Sequence, residues 1–263
     1  MPVVTVDTAR ISYRVVGEGP ETLVLVHGTG PGSGMWDHLL ASFTDRYTVL
    51  LPDLSGSETA EDDGARLTVE TLAAQVNAVI EDAGRGPVHL VGFSLGAVVA
   101  TAAAARRPEQ VRRLVAAAGW INAEDEYLRN MMTVWAALAG DPATFGRYAT
   151  LTAFSGGFLN RIGREAVEAN AAFMRPTPGT LRHIALDLDL DITALLPRVQ
   201  APTLVIGCTQ DATVPVANAR RLHAAIADSE YAEFDTGHVV LFEQPEAFTT
   251  AVLDFLTVAP AAA

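Results

Sequence analysis

Residues 88–108 read Val88-His89-Leu90-Val91-Gly92-Phe93-Ser94-Leu95-Gly96-Ala97-Val98-Val99-Ala100-Thr101, then alanines to Arg106-Arg107 and Pro108. The stretch opens as a short apolar strand and closes as an alanine-rich helix, with two arginines suited to the helix C-terminus and a proline to stop it. Between them stands Gly-x-Ser-x-Gly, in the strand, turn and helix context that a nucleophile elbow requires. The turn is strained, and a β carbon at Gly92 or Gly96 would collide with neighbouring backbone. Ser94 is thereby lifted above the sheet edge, where the helix N-terminus favours negative charge on an attacked oxygen. A serine serving only as an N-cap is the plainer alternative.

A serine hydroxyl needs a base to take its proton. His238 follows the last expected strand in Asp235-Thr236-Gly237-His238 and is the best placed of six histidines. His27 ends a strand and belongs to a glycine loop, while His38, His89, His183 and His223 fall on helices or inside a strand and read as surface or packed side chains. The base in turn needs a carboxylate to fix its tautomer. Asp211 follows the strand before His238, in Thr209-Gln210-Asp211, at the same sheet edge. Asp235, three residues from His238, reads as a turn former. The resulting order is serine, acid, histidine.

The loop His27-Gly28-Thr29-Gly30-Pro31-Gly32 follows the third strand. Its glycines let backbone amides turn toward a developing oxyanion, and the amides of Thr29 and Leu95 are the expected pair. The spacing is not that of a dinucleotide or phosphate loop, and no lysine follows.

Working outward, eight strands are expected: 3–8, 11–16, 22–27, 47–51, 88–92, 111–117, 202–208 and 230–234. The first two form an antiparallel pair. Runs such as Leu23-Val24-Leu25-Val26 and Leu204-Val205-Ile206 are apolar without alternation, as in strands covered on both faces, and are expected at the sheet's centre. Helices are expected after Thr68, closed by Gly84 and Gly86, from Ser94, and from Pro245. From about Trp120 to Leu196 the strand rhythm gives way to helical patterns. This predicts a helical cap at residues 120–196, inserted in a core of residues 1–119 and 197–258, with a frayed tail at 259–263. The Asp187, Asp189, Asp191 run reads as a solvated edge.

Composition narrows the chemistry. The chain has 263 residues, 49% hydrophobic and 19% charged, which suits a globular protein with a sizeable core. With 18 basic against 31 acidic residues its net charge is −13, a field that repels nucleic acid and anionic membranes. All 18 basic residues are arginines, so lysine Schiff-base chemistry and lysine phosphate loops are excluded. The single cysteine, Cys208, forms neither an internal disulfide nor a cysteine zinc cluster. The N-terminal residues lack a signal-peptide pattern, and the weakly polar stretch 96–105 is about half the ~20 residues of a membrane span. The expectation is a cytoplasmic protein without metal or cofactor, a monomer or homodimer acting on a small molecule.

These motifs, in this order, resemble the α/β-hydrolase family over nearly the whole chain, from Val3 to Leu256. The resemblance implies a mostly parallel eight-stranded sheet flanked by helices, with Ser94, Asp211 and His238 as the catalytic triad. Pro52-Asp53-Leu54 is similar to the family's loop after the fourth strand, although Ser55-Gly56-Ser57 departs from its glycine pattern, and Asp53 reads as structural. The 27–32 loop is similar to that of the carbon–carbon bond hydrolases. Those enzymes carry asparagine before the nucleophile and tryptophan after the histidine, where this chain has Phe93 and Val239. The Gly92-Phe93-Ser94 pattern is closer to esterases, perhydrolases and enol-lactonases, and the Asp211 and His238 segments resemble the lactonase type. A serine hydrolase acting on a small to medium apolar ester or lactone is therefore expected, with Phe93, Trp135, Phe154 and Val239 at the substrate. A lyase or cyclase on the same scaffold, a carbon–carbon bond hydrolase and a ligand receptor that kept the fold are the alternatives.

Overall fold

The computed structural model describes residues 1–30, 32–57 and 59–257. All eight expected strands form: β1 (Val3–Val6), β2 (Ala9–Val16), β3 (Glu21–Val26), β4 (Tyr47–Pro52), β5 (Val88–Phe93), β6 (Val111–Ala117), β7 (Thr203–Cys208) and β8 (Ser229–Phe234). They make one sheet in the order β1-β2-β4-β3-β5-β6-β7-β8. The β1–β2 and β2–β4 pairings are antiparallel, and the other five are parallel. The helices are α1 (Leu40–Phe43), α2 (Val69–Ala83), α3 (Leu95–Arg106), α4 (Glu126–Ala137), α5 (Pro142–Ala153), α6 (Gly156–Phe173), α7 (Pro178–Asp187), α8 (Val216–Ala225), α9 (Val240–Glu243) and α10 (Pro245–Thr257).

Side-chain alternation along each strand feeds two cores on opposite faces of the sheet. Val24 and Val26 of β3 point into the core shared with α2 and α3, whereas Leu23 and Leu25 join Trp36, Phe43 and the α10 residues Phe248, Val252 and Phe255. Helix α3 is buried at eleven of its twelve positions. Its alanines are apolar all round because the helix is enclosed, and their small size lets it lie close to the sheet. The ends of α2 follow the sequence: Thr68 Oγ1 accepts from the Thr71 amide, and Gly84 closes the helix with φ of 62°.

One placement differs from expectation. β3 is central, but β7 lies one strand from the edge. It is nevertheless buried along its whole length, because cover on both faces, not distance from the edge, makes a strand continuously apolar. The expected frayed tail, residues 259–263, lies outside the described residues.

Helices α4 to α7 all fall between β6 and β7, in the stretch where the sequence loses its strand period. Neighbours of β3 are β4 on one side and β5 on the other, so the chain reverses its direction of winding there. Such a switch point opens a crevice at the carboxyl ends of the strands.

Candidate active site

Ser94 joins the end of β5 to the start of α3 with φ of 57° and ψ of −126°, a backbone state that costs energy in a residue with a β carbon. The flanking glycines make the turn possible. A β carbon at Gly92 would lie 2.1 Å from the Gly96 carbonyl oxygen, and one at Gly96 would lie 2.3 Å from that of Val26. The Ser94 amide is fixed by the Ala117 carbonyl of the neighbouring strand, at 2.9 Å.

His238 Nε2 stands 2.9 Å from Ser94 Oγ, and its Nδ1 stands 2.7 Å from Asp211 Oδ2. Asp211 accepts the Nδ1 proton, which leaves the Nε2 lone pair to accept from the serine hydroxyl. The other Asp211 oxygen takes the amides of Thr213 and Val214, each at 2.7 Å. With one oxygen anchored to backbone and a side chain only 1% exposed, the carboxylate is held rigidly toward the ring. Asp235 lies outside this chain and accepts from Thr209 Oγ1 and Gln210 Nε2, as a turn former should.

The glycine loop approaches the same point. A β carbon at Gly28 would meet the Ser94 side chain at 3.0 Å. The Gly28 amide is directed at Met35 Sδ and the Gly30 amide at His183 Nδ1, at 3.3 Å. Thr29 lies between them. The Leu95 amide heads α3, where no intrahelical acceptor is available. His27 holds the loop to the β4 exit: its Nε2 accepts the Leu54 amide at 3.1 Å, and its Nδ1 donates to the Gly28 carbonyl at 2.8 Å. Burial pushes the His27 pKa down, which keeps the ring neutral for both contacts. Asp53 acts as the sequence suggested: Oδ1 accepts the Ser33 amide at 2.7 Å, and Oδ2 accepts from Thr59 Oγ1.

Ser94 and His238 open onto a cavity of about 670 Å³. Phe93, Trp135, Phe154 and Val239 all line it, together with Thr29. Trp135 stacks on Phe145 with centroids 5.3 Å apart, and the Phe93 ring lies 4.9 Å from that of His238. Met132, Met174, Phe242 and Arg14 also line the cavity and were not singled out by the sequence, and Asp53, read there as structural, lines it too. Arg14 is paired with Asp37 at 2.7 Å.

Two buried acids complete the surroundings, and one corrects the sequence reading. Asp189 and Asp191 are exposed as expected, but Asp187 is completely buried and hydrogen-bonded to Thr29 Oγ1 at 2.7 Å. The buried positions of α7 include Thr180, His183, Ile184 and Asp187, a spacing of three, four and seven residues. This helical stripe was the signal that an every-second-residue reading of the aspartates hides. Glu243, buried on α9, accepts from the Ser155 amide and hydroxyl, both at 2.6 Å, and from the Gly237 amide at 3.1 Å.

Among the described residues no helix is long and apolar enough to cross a membrane. The chain is 39% identical to the pyrrolizixenacetamide deacetylase of Xenorhabdus hominickii, over 96% of this chain and 97% of that protein. It is 29% identical to a 2-hydroxy-6-oxononadienedioate/2-hydroxy-6-oxononatrienedioate hydrolase of Pseudomonas putida, covering 94% of this chain and 91% of that one. In three dimensions it superposes on an alpha/beta hydrolase from a Medee basin deep-sea metagenome with a TM-score of 0.90. That match covers 100% of this chain and 99% of the other at 20% identity, which speaks to the fold alone. A sequence model of the alpha/beta hydrolase family matches residues 23–251, and with that match spanning most of the sheet and the whole Ser94, Asp211 and His238 constellation, the chain belongs to the alpha/beta hydrolase family.

Proposed function

We propose that this hydrolase cleaves a small to medium, largely apolar acyl compound through an acyl-enzyme on Ser94. The observation that carries the reading is the continuous chain Asp211–His238–Ser94, with contacts of 2.7 and 2.9 Å, facing a cavity lined by aromatic and methionine side chains. Ser94 Oγ attacks the carbonyl carbon as its proton passes to His238 Nε2, and Asp211 stabilises the imidazolium. The amides of Thr29 and Leu95 receive the oxyanion. His238 returns the proton to the leaving oxygen or nitrogen as the tetrahedral species collapses. Water, deprotonated by His238, then attacks the acyl carbon, and as the bond to Ser94 Oγ breaks His238 passes its proton to that oxygen, releasing the acid and regenerating Ser94.

Esters and lactones are the substrates the sequence favours. The deacetylase relative extends the class to short N-acyl amides, because both types pass through the same acyl-serine. The helical insertion acts in this reading as a cap that selects substrates, since Trp135 and Phe154 both line the cavity. The protein works in the cytoplasm, without metal or cofactor, as a monomer or homodimer.

The test uses 4-nitrophenyl acetate and intact-protein mass spectrometry. Wild type should turn the ester over and show an acetyl adduct after rapid acid quench. Ser94→Ala should lose the adduct and roughly 10⁴- to 10⁶-fold in kcat with its fold intact. Turnover by Ser94→Ala at the wild-type rate would exclude the covalent mechanism and turn attention to direct base chemistry by His238.

A further inference from the structure

The loop that carries Thr29 has little to hold it in its own backbone. Gly28 and Gly30 flank the residue, and Gly30 has φ of 128°, a region that glycine alone enters freely. An amide that must point at one position to within a fraction of an ångström needs anchors from outside the loop. Helix α7 of the insertion supplies two. His183, fully buried, accepts the Gly30 amide at Nδ1 and donates from Nε2 to the Ser55 carbonyl at 2.8 Å. One turn on, Asp187 reaches Thr29 Oγ1 at 2.7 Å.

Asp187 is an expensive group for this place. It is wholly enclosed, its Oδ1 has no hydrogen-bond partner, and burial and the Thr29 hydroxyl are the influences that shift its acidity, with no cation among them. Such a site penalises the charged form of the carboxyl, and burial pushes its pKa up to about 7. A packing role alone would be filled more cheaply by an apolar side chain. What an apolar side chain lacks is the hydrogen bond to Thr29.

We infer that Asp187 is a positioning residue for the oxyanion-binding amide: its buried hydrogen bond to the Thr29 hydroxyl fixes the glycine loop, so that helix α7 of the insertion sets catalytic efficiency. The inference rests on the proposed acyl-transfer reading, in which the Thr29 amide receives the oxyanion. Fixing that amide matters more as charge develops on the oxygen than in the bound ester, so its loss should appear in kcat.

The experiment measures kcat and KM for 4-nitrophenyl acetate and thermal unfolding in Asp187→Leu, Asp187→Asn, Thr29→Val and the Asp187→Leu/Thr29→Val double variant. Asp187→Leu should lower kcat by about 10- to 100-fold with KM within about threefold of wild type. Asp187→Asn, which keeps a hydrogen-bonding group toward Thr29, should restore kcat to within about threefold. Thr29→Val, which keeps the amide and deletes the hydroxyl, should match Asp187→Leu, and the double variant should be no worse than the poorer single one. Wild-type kcat in Asp187→Leu, or additive losses in the double variant, would overturn the inference. So would a loss in Asp187→Asn as large as in Asp187→Leu. If Asp187→Leu does not fold, the Thr29→Val and Asp187→Asn pair decides alone: full kcat in Thr29→Val overturns it. Ser94→Ala in the same series separates the two readings, because turnover by that variant rejects the acyl-enzyme whatever Asp187 does.

Discussion

Ser155 gives both its amide and its hydroxyl to the carboxylate of Glu243, at 2.6 Å each, across 88 residues of chain. The same carboxylate takes the Gly237 amide, one residue before His238, while Ser155 follows the cavity-lining Phe154. Next to it, Val239 donates its amide to the Ala153 carbonyl at 3.2 Å. Gly237 fits because a β carbon there would lie 2.4 Å from the Ser155 nitrogen. The α5–α6 junction and the histidine loop therefore share one buried hydrogen-bond cluster.

Glu243→Ala should leave three buried donors without an acceptor and destabilise the fold by about 2–4 kcal/mol, read from denaturant unfolding. Glu243→Gln should recover most of this, since its carbonyl oxygen can serve the two amides while its amino group meets the Ser155 hydroxyl. Equal stability of the alanine variant and wild type would show that water replaces the cluster.

The elbow glycines predict a sharper result. Gly96→Ala forces a β carbon against the Val26 and His27 carbonyls, at 2.3 and 2.5 Å. Neither is the end of a flexible side chain, so β3 or α3 must shift. The loss expected is more than about 3 kcal/mol. Gly140→Ala, where nothing lies within 4 Å of the added carbon, should stay within about 1 kcal/mol of wild type. A similar cost at both positions would remove the steric explanation of the motif.

The sheet was legible because each strand is a short apolar run bounded by turn residues, and the elbow because its chemistry requires glycine, serine and glycine in consecutive alternate positions. The contacts of His238 with Asp211 and Ser94 were legible from the place of each residue after a strand. Asp187 and Glu243 were not, since burial of an acid depends on what packs over it, and the partners Thr29 and Ser155 lie 158 and 88 residues away. For Asp187 the helical stripe through Thr180, His183 and Ile184 was present in the sequence. Glu243 sits on a four-residue helix too short to show any period.

Two α7 side chains titrate in opposite senses. Asp187 is raised from 3.8 to about 7 by burial, so the folded chain keeps a proton that the unfolded chain has already lost. Its contribution is greatest below pH 4 and is lost as pH rises to about 7. His183 is lowered from 6.5 to about 4, chiefly by burial. Its contribution is present above pH 6.5 and is lost as pH falls toward 4. Asp187→Asn deletes the first slope only. It should stabilise the protein at pH 8 by up to about 4 kcal/mol, because the folded and unfolded carboxyls differ by ~1.4 kcal/mol for every tenfold difference in their acidity, and the gain should vanish near pH 4. Chemical unfolding of both proteins from pH 4 to 8 gives the difference curve. A gain independent of pH would assign the effect to packing, with Asp187 already neutral or already charged throughout.

Trp135 and Phe154 test whether the insertion selects substrates. Trp135 is nearly enclosed and stacked on Phe145, so its truncation removes both cavity wall and core, whereas Phe154 is only partly buried and stacks on Phe158 at 5.1 Å. Phe154→Ala is therefore the cleaner probe. It should enlarge the cavity beside His238 with little loss of fold, because its neighbour Ser155 stays tied to Glu243. Removing that much apolar wall should change kcat/KM for a bulky aryl ester relative to 4-nitrophenyl acetate by about 1–3 kcal/mol. The small ester, which needs only the Ser94 and His238 neighbourhood, should react at close to the wild-type rate. Trp135→Ala should show the same change in preference together with a loss of about 3–5 kcal/mol in stability. Equal losses on both esters with Phe154→Ala would mean that the insertion supports the reaction centre without choosing what enters it.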